Sequence, residues 1–133
     1  MAALKSQPTI ILYRGFPGAG QYVWSPFVSK VEARLRFAGL SYQTEAGSLL
    51  KAPRGKIPYI SIRTNEAEPQ LLGDSQVISD QLSEDGQLPD LNGKLSPVEK
   101  ARDLALRALL EEKLYFCQVQ DITDTDIWRR GWG

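Results

Sequence analysis

Runs of apolar positions along the chain predict short strands and amphipathic helices. Thr9–Tyr13 is a short and mostly apolar run, which is typical of a strand covered on both faces. After Ser25, apolar residues recur at spacings of three and four, as on one face of a helix. These residues are Val28, Val31, Leu35 and Ala38. The pattern therefore predicts a strand followed by a helix with one buried stripe.

The ends of this first helix carry ordinary stop and start signals. Ser25 is a good N-cap residue, and Pro26 suits the first helical position. Gly39 is a typical residue just after a helix. A second helix begins with the same dipeptide at Ser96-Pro97, followed by Glu99 in the spacing of a capping box. We therefore predict a long helix from Ser96 to about Gln120.

Three further strands and one more helix are predicted between these two helices. Alternating or β-rich stretches at Ser41–Glu45, Pro58–Arg63 and Gln70–Leu72 predict the strands. Asp74 is expected to cap a helix that continues to about Leu82. The inward positions predicted for it are Val77, Ile78 and Leu82.

This order of elements predicts an α/β fold. The β-α-β-β-β-α sequence indicates one mixed four-stranded sheet with helices on its faces, followed by one long C-terminal helix. We predict two domains, an α/β domain over residues 8–86 and a helical segment over residues 94–133.

Composition excludes several kinds of chemistry. Sixteen basic and sixteen acidic residues cancel, so no net charge attracts nucleic acid or an anionic membrane. Histidine is absent from the sequence, which excludes Ser-His-Asp hydrolysis and nearly every zinc site. The single cysteine, Cys117, allows no internal disulfide and is expected in the core or at an interface. Without a signal-peptide pattern or a run long enough to span a bilayer, the sequence predicts a cytoplasmic protein.

Three stretches in this order resemble the thioredoxin-like N-terminal domain of glutathione S-transferases. SPFVSKVEARLRFAGLSYQ, from Ser25, resembles the first helix and second strand of transferases with an active serine. KIPYI, from Lys56, resembles the segment that leads through a cis-proline into the third strand. GDSQVISDQL, from Gly73, resembles the acidic-Ser pair that opens the following helix. The similarity is greatest to the branch that contains metaxin and failed-axon-connections-like proteins.

The resemblance implies a glutathione site at named positions. The Ile57–Pro58 bond would be cis, and the backbone of Ile57 would pair with the cysteinyl part of glutathione as an added strand does. Lys56 would reach a carboxylate of the tripeptide. Asp74 would pair with the γ-glutamyl ammonium, and Ser75 with the carboxylate beside it. From the residues alone, Pro58 is an ordinary trans proline that starts a strand, and Asp74 is an N-cap, a role that can coexist with ligand binding at the same helix start.

Ser25 is the candidate catalytic residue. A hydroxyl at a helix start, after a glycine-rich loop, can donate a hydrogen bond to a glutathione thiolate. The alternative is a capping role alone, which Ser96 has at the other Ser-Pro pair. Tyr13, where some transferases carry a catalytic tyrosine, is expected to serve packing or hydrogen bonding instead.

The resemblance implies a protein that activates glutathione for transfer to a small electrophile. A complete transferase carries several helices in its second domain, and residues 94–133 provide about one, so we interpret them as truncated. The alternatives are a non-catalytic binding or assembly module on the same fold and a scaffold without glutathione affinity. The apolar run from Leu104 to Val119 further predicts a homodimer through the 96–120 helix.

Overall fold

The protein is described by a computed structural model over residues 8–16, 21–64 and 67–124. The chain divides into two compact units, Met1–Asp90 and Leu91–Gly133. The first unit holds the sheet with its two helices, and the second is helical.

The first unit is built on a mixed four-stranded sheet, as predicted. Its strands run in the order β2-β1-β3-β4. β1 pairs in parallel with β2 and antiparallel with β3, which in turn is antiparallel to β4. The strands are β1 Thr9–Tyr13, β2 Gln43–Glu45, β3 Tyr59–Arg63 and β4 Gln70–Gly73. β2 begins at Gln43 rather than at the predicted Ser41, because only its last residues pair with β1.

One row of paired residues crosses the whole sheet at one end. Tyr13 is opposite Glu45 on one side and opposite Tyr59 on the other, and Tyr59 is opposite Gly73. Because β1, β2 and β4 end in this row and β3 begins there, the β1–α1, β2–β3 and β4–α2 connections all adjoin the same end of the sheet.

Two helices cover one face of the sheet. α1 (Pro26–Phe37) and α2 (Ser75–Glu84) pack side by side and share one core with the strands. In α1 the predicted stripe is confirmed, with Val28, Val31 and Leu35 buried. The core cluster consists of Ile10, Leu12, Val31, Leu35, Ile60, Ile62, Ile78, Leu82 and Leu88.

The buried face of α2 differs from the predicted one. Ile78 and Leu82 are buried as expected, but Val77 is exposed, so that part of the prediction is wrong. The buried stripe is Ser75, Ile78, Ser79 and Leu82. Two of these residues are serines, and the spacing of an α-helix leaves Val77 off the stripe whatever its hydrophobicity.

Within the described residues, the second unit holds one helical stretch over 97–124, which contains an irregularity. α3 (Pro97–Ala108) begins with the predicted capping box of Ser96 and Glu99. A π-helical stretch, Leu109–Leu114, follows and leads into α4 (Tyr115–Asp124). In the stretch the N–H of Tyr115 donates to the carbonyl of Leu110. The sequence predicts a plain α-helix here because leucine, glutamate and lysine all favour that form.

The helical unit exposes a large number of apolar side chains. Within the described residues they are Val98, Leu104, Leu106, Leu109, Leu110, Leu114, Phe116 and Val119. Cys117 is exposed as well, so the core alternative predicted for it is wrong, and the interface alternative stays a prediction. Trp128 and Trp132, which carry no assigned role in the sequence, lie outside the described residues.

Candidate functional site

Every predicted site segment adjoins the row of paired residues at one end of the sheet. The loop after β1 leads to Ser25, Pro58 immediately precedes β3, and Asp74 immediately follows β4. Gly15 lies against Ile57, since a methyl group on Gly15 would approach Ile57 Cγ2 to 3.3 Å. The topology therefore places the predicted residues around one edge, as α/β folds commonly do for a site.

Ser25 is the N-cap of α1. Its hydroxyl accepts a hydrogen bond from the N–H of Val28 at 3.5 Å, which is long for such a bond. The first turn of α1 contains no acidic residue, so no carboxylate neutralises the positive end of the helix there. Accepting this bond leaves the hydroxyl proton of Ser25 to be donated. Position and chemistry are thus compatible with both the capping and the catalytic interpretation.

The segment before β3 has the backbone form that the resemblance implied. The Ile57–Pro58 peptide bond is cis. Ile57 is half-buried and Pro58 is buried, whereas the side chains of Lys51, Arg54 and Lys56 are exposed to solvent.

Asp74 and Ser75 open α2 with an unusual backbone. Asp74 has a φ of 76° and a ψ of 126°, and a positive φ is uncommon outside glycine. Its carboxylate accepts the N–H of Gln76 at 2.9 Å and caps the helix. Asp74 is exposed, whereas Ser75 is buried. Such strained residues concentrate at functional sites, where the surrounding structure holds them in place.

The starts of the two helices are joined by a direct contact that the sequence did not suggest. Lys30 Nζ donates to the side-chain oxygen of Gln76 at 3.0 Å. Gln76 also donates to Asp80 at 2.7 Å. The contact links the helix that Ser25 caps to the helix that Asp74 caps.

A buried ion pair lies at the start of the loop that connects β1 to α1. Arg14, directly after β1, is 3% exposed and places its Nε 3.2 Å from Glu32 Oε1 in α1. Its guanidinium also donates to the carbonyl of Gln21. Sequence analysis missed this pair, although an arginine directly after an apolar strand was a visible signal.

An open groove of about 430 Å3 beside α1 is lined by Arg14, Gln21, Tyr22, Val23, Ser29, Glu32, Ala33, Arg36 and Phe37.

Tyr13 is a packing residue, as predicted. Its ring stacks on Tyr59 with centroids 4.3 Å apart. Burial, followed by the charge of Glu45 and the neighbouring Tyr59, raises the pKa of Tyr13 above its ordinary value. Tyr13 therefore stays protonated at neutral pH.

Comparison with known proteins identifies the family. The family model for the glutathione S-transferase N-terminal domain matches residues 26–125. The chain belongs to this glutathione S-transferase family. The match includes α1, the Lys56-Ile57-Pro58 segment and the Asp74-Ser75 pair, but it begins one residue after Ser25.

Curated and solved relatives agree with this assignment. An isoprene-epoxide–glutathione S-transferase from Rhodococcus sp. (strain AD45) is 32% identical over 112 residues, covering 80% of this chain and 44% of the relative. Glutathione transferase Omega 2S from Trametes versicolor has the same fold, with a TM-score of 0.54 and 21% identity. The likeness covers 78% of this chain and 47% of that transferase. Its complex with 2,4-dihydroxybenzophenone gives a TM-score of 0.53 at 20% identity, with coverage of 78% and 49%. The chain thus spans less than half the length of these relatives.

Two other features are absent from the part of the chain that the structure describes. Among the described residues, no cluster of histidine, cysteine, aspartate and glutamate could hold a metal ion. No helix in that part of the chain is long and apolar enough to cross a membrane.

Proposed function

We propose that this glutathione S-transferase family chain binds glutathione at the end of the sheet where Tyr13, Tyr59 and Gly73 are paired. The pairing supports the proposal, because Pro58 directly precedes Tyr59, Asp74 directly follows Gly73, and the loop after Tyr13 leads to Ser25. Membership of the family supports glutathione as the ligand.

Each end of the tripeptide has a suitable partner at this edge. The backbone of Ile57 beside the cis-proline pairs with the cysteinyl part, as a strand added to the sheet does. Lys56 pairs with a carboxylate. At the other end, Asp74 pairs with the γ-glutamyl ammonium, while Ser75 and the start of α2 bind the adjoining carboxylate.

We propose that Ser25 stabilises the thiolate. Its hydroxyl donates to the sulfur, and the positive end of α1 favours the anion, so both lower the thiol pKa. Ser25 is not itself a nucleophile, because a sequence without histidine offers it no imidazole base. This role is that of the serine-type branch, and we propose that the chain belongs to it.

Small epoxides are the electrophiles that we propose to test first. The choice follows the name of the Rhodococcus relative, isoprene-epoxide–glutathione S-transferase. The thiolate sulfur forms a bond to an epoxide carbon while the carbon–oxygen bond breaks. The resulting alkoxide takes a proton from water, so the products are a thioether and an alcohol.

Thermal unfolding with and without millimolar glutathione tests the binding. A ligand that binds only the native state raises the melting temperature by mass action. S-methylglutathione retains both carboxylates and the ammonium, so it should also raise the melting temperature, although less than glutathione. Lys56→Met should reduce the glutathione shift, whereas Lys51→Met is a matched control that removes a nearby exposed lysine and should leave the shift intact.

An absent glutathione shift in the unmodified protein would overturn the proposed function. An equal loss in both lysine variants would assign the shift to general electrostatics rather than to Lys56. A shift with glutathione but no conjugation of epoxides would leave a binding protein and reject the catalytic part.

A second candidate function is a non-catalytic binding or assembly module on the same fold. The exposed apolar side chains of the 97–119 region support it, because surfaces of this kind usually meet a partner. We propose a second copy of the chain as that partner, and the cytoplasm as the compartment.

A further inference from the structure

The ring of Tyr59 is buried beneath the chain segment that follows β2. Tyr59 is 2% exposed and stacks on Tyr13 with an interplanar angle of 14°. Because side chains alternate along a strand, Tyr59 faces away from Ile60 and from the core shared with α1 and α2. The stack therefore belongs to the second face of the sheet.

The hydroxyl of Tyr59 holds the first residue of a compact turn. It accepts the N–H of Ser48 at 3.0 Å. The carbonyl of Ser48 in turn accepts the N–H groups of Lys51 and Ala52, both at 3.1 Å. The side-chain oxygen of Ser48 accepts the N–H of Leu50 at 3.2 Å. Ser48 thus accepts three hydrogen bonds within the turn, and its own N–H binds the turn to Tyr59 on the sheet.

The approach of this segment to the sheet is close. Gly47 has a φ of 74°, and a methyl group there would lie 2.7 Å from Tyr13 Cβ and 2.8 Å from the Tyr59 oxygen. These distances are shorter than van der Waals contact allows, so the backbone of Gly47 lies directly on the stacked rings.

The same turn touches both halves of the proposed glutathione site. Pro53 lies over Gly73, since a methyl group on Gly73 would be 3.5 Å from Pro53 Cβ. Gly73 directly precedes Asp74, and the end of the turn at Gly55 directly precedes Lys56. A shift of the turn would therefore displace Lys56 and Ile57 relative to Asp74.

We propose that Tyr59 is a positioning residue for glutathione binding. Its hydroxyl anchors the turn at Ser48, and the turn sets the distance between the Lys56–Pro58 segment and Asp74. This inference rests on the proposed function, but its structural part concerns the protein without ligand. Tyr59 acts through the turn and needs no contact with glutathione.

Tyr59→Phe tests the role of the hydroxyl, and Tyr13→Phe is the matched control. Both variants keep the aromatic stack, and only Tyr59→Phe removes the acceptor of the Ser48 N–H. Titration calorimetry should show glutathione bound about three- to tenfold more weakly by Tyr59→Phe, which is the effect of losing one hydrogen bond. Amide exchange by mass spectrometry should become faster over residues 48–55 in Tyr59→Phe and stay unchanged in Tyr13→Phe.

A third variant separates positioning from lost stability. Ile62→Val creates a small cavity elsewhere in β3 and lowers the melting temperature, but should not change glutathione affinity or exchange in the turn. Unchanged exchange in Tyr59→Phe would overturn the inference whether or not glutathione binds. If the unmodified protein binds glutathione and Tyr59→Phe binds it equally well, the inference also fails. An unmodified protein that binds no glutathione would instead overturn the proposed function, while the exchange result still decides whether Tyr59 anchors the turn.

Discussion

Arg14 and Glu32 form a buried ion pair between the end of β1 and the middle of α1. Their closest atoms are 3.2 Å apart, and the two side chains are 3% and 15% exposed. A second contact between the same groups measures 3.5 Å. The pair therefore links α1, which Ser25 caps, to the end of β1.

Breaking this pair should destabilise the first unit substantially. Glu32→Gln removes the negative charge that faces the buried Arg14 guanidinium and should cost roughly 2–4 kcal/mol in the free energy of unfolding. Arg36→Met is the control on the same helix, because it removes an exposed cation bonded to Tyr42 and should cost about 0–1 kcal/mol. Urea denaturation of both variants gives the comparison. Similar midpoints would show that the buried pair contributes little.

Gly47 should tolerate alanine far less well than Gly55. Both glycines have positive φ values, 74° and 62°, but a methyl group on Gly55 would meet nothing within 4 Å. Gly55→Ala should therefore cost only the backbone term, about 1 kcal/mol. Gly47→Ala adds a collision with the stacked tyrosines and should cost roughly 2–4 kcal/mol. Equal losses in thermal unfolding would contradict the close approach described here.

Substitution of Ser25 separates capping from chemistry. Ser25→Ala should slow conjugation, leave glutathione affinity nearly intact and cost about 1 kcal/mol of stability. Ser25→Gly loses only a few tenths of a kcal/mol, yet it also lacks the hydroxyl, so it should be equally slow. Ser96→Ala loses the cap of α3 and should conjugate at the normal rate. Full activity in Ser25→Gly would make Ser25 a cap only.

Acid should remove the contribution of the capping box at Ser96. The N–H and then the hydroxyl of Ser96 bind the Glu99 carboxylate and lower its pKa below the ordinary value. A carboxyl group whose pKa is lower in the folded state stabilises that state when the pH is above its unfolded-state pKa, which is about 4.3 for glutamate. This stabilisation is lost as the pH falls through the folded-state pKa. Glu99→Gln keeps the box without the charge.

Urea midpoints of the unmodified protein and Glu99→Gln therefore give the test. The difference between them should be largest near neutral pH and should shrink below about pH 4. A difference that stays constant down to pH 3 would rule out the carboxylate as its source.

Self-association should depend on the helical unit. We expect concentration-dependent dimers in light scattering at micromolar concentration, because the apolar side chains there are exposed. Leu110→Gln with Leu114→Gln should weaken the dimer, since these side chains are 53% and 57% exposed. Leu50→Gln is the control, as this leucine is 97% exposed in the first unit. A strict monomer with the residues after 124 removed would exclude the prediction.

Local signals predicted most of the fold. The Ser-Pro pairs at Ser25 and Ser96 marked two helix starts because caps act over three or four residues. The mixed four-stranded sheet followed from the β-α-β-β-β-α order of the elements. The candidate edge of the site was then accessible from topology alone.

Contacts between distant segments were not predictable in this way. The Arg14–Glu32 pair and the bond from Ser48 to Tyr59 join residues that are separate in sequence, and no periodicity marks them. The prediction that Val77 is buried was wrong for a related reason. It relied on the hydrophobicity of the side chain, whereas the helical register buries Ser75 and Ser79 instead. Burial is decided by the position of a residue on the element as well as by its side chain.

The π-helical stretch Leu109–Leu114 has a consequence for the direction in which α4 presents its side chains. Each of its hydrogen bonds spans one more residue than in an α-helix. Because residue i+5 then lies above residue i as residue i+4 does in an α-helix, the stretch accommodates one additional residue without rotating α4 relative to α3. Deleting a single residue there would let regular bonding resume and would leave Phe116 and Val119 on nearly the same side, whereas a deletion within α3 would turn them by about 100°. The stretch is therefore the place where this helix tolerates a change in length of one residue without changing which apolar side chains share a face.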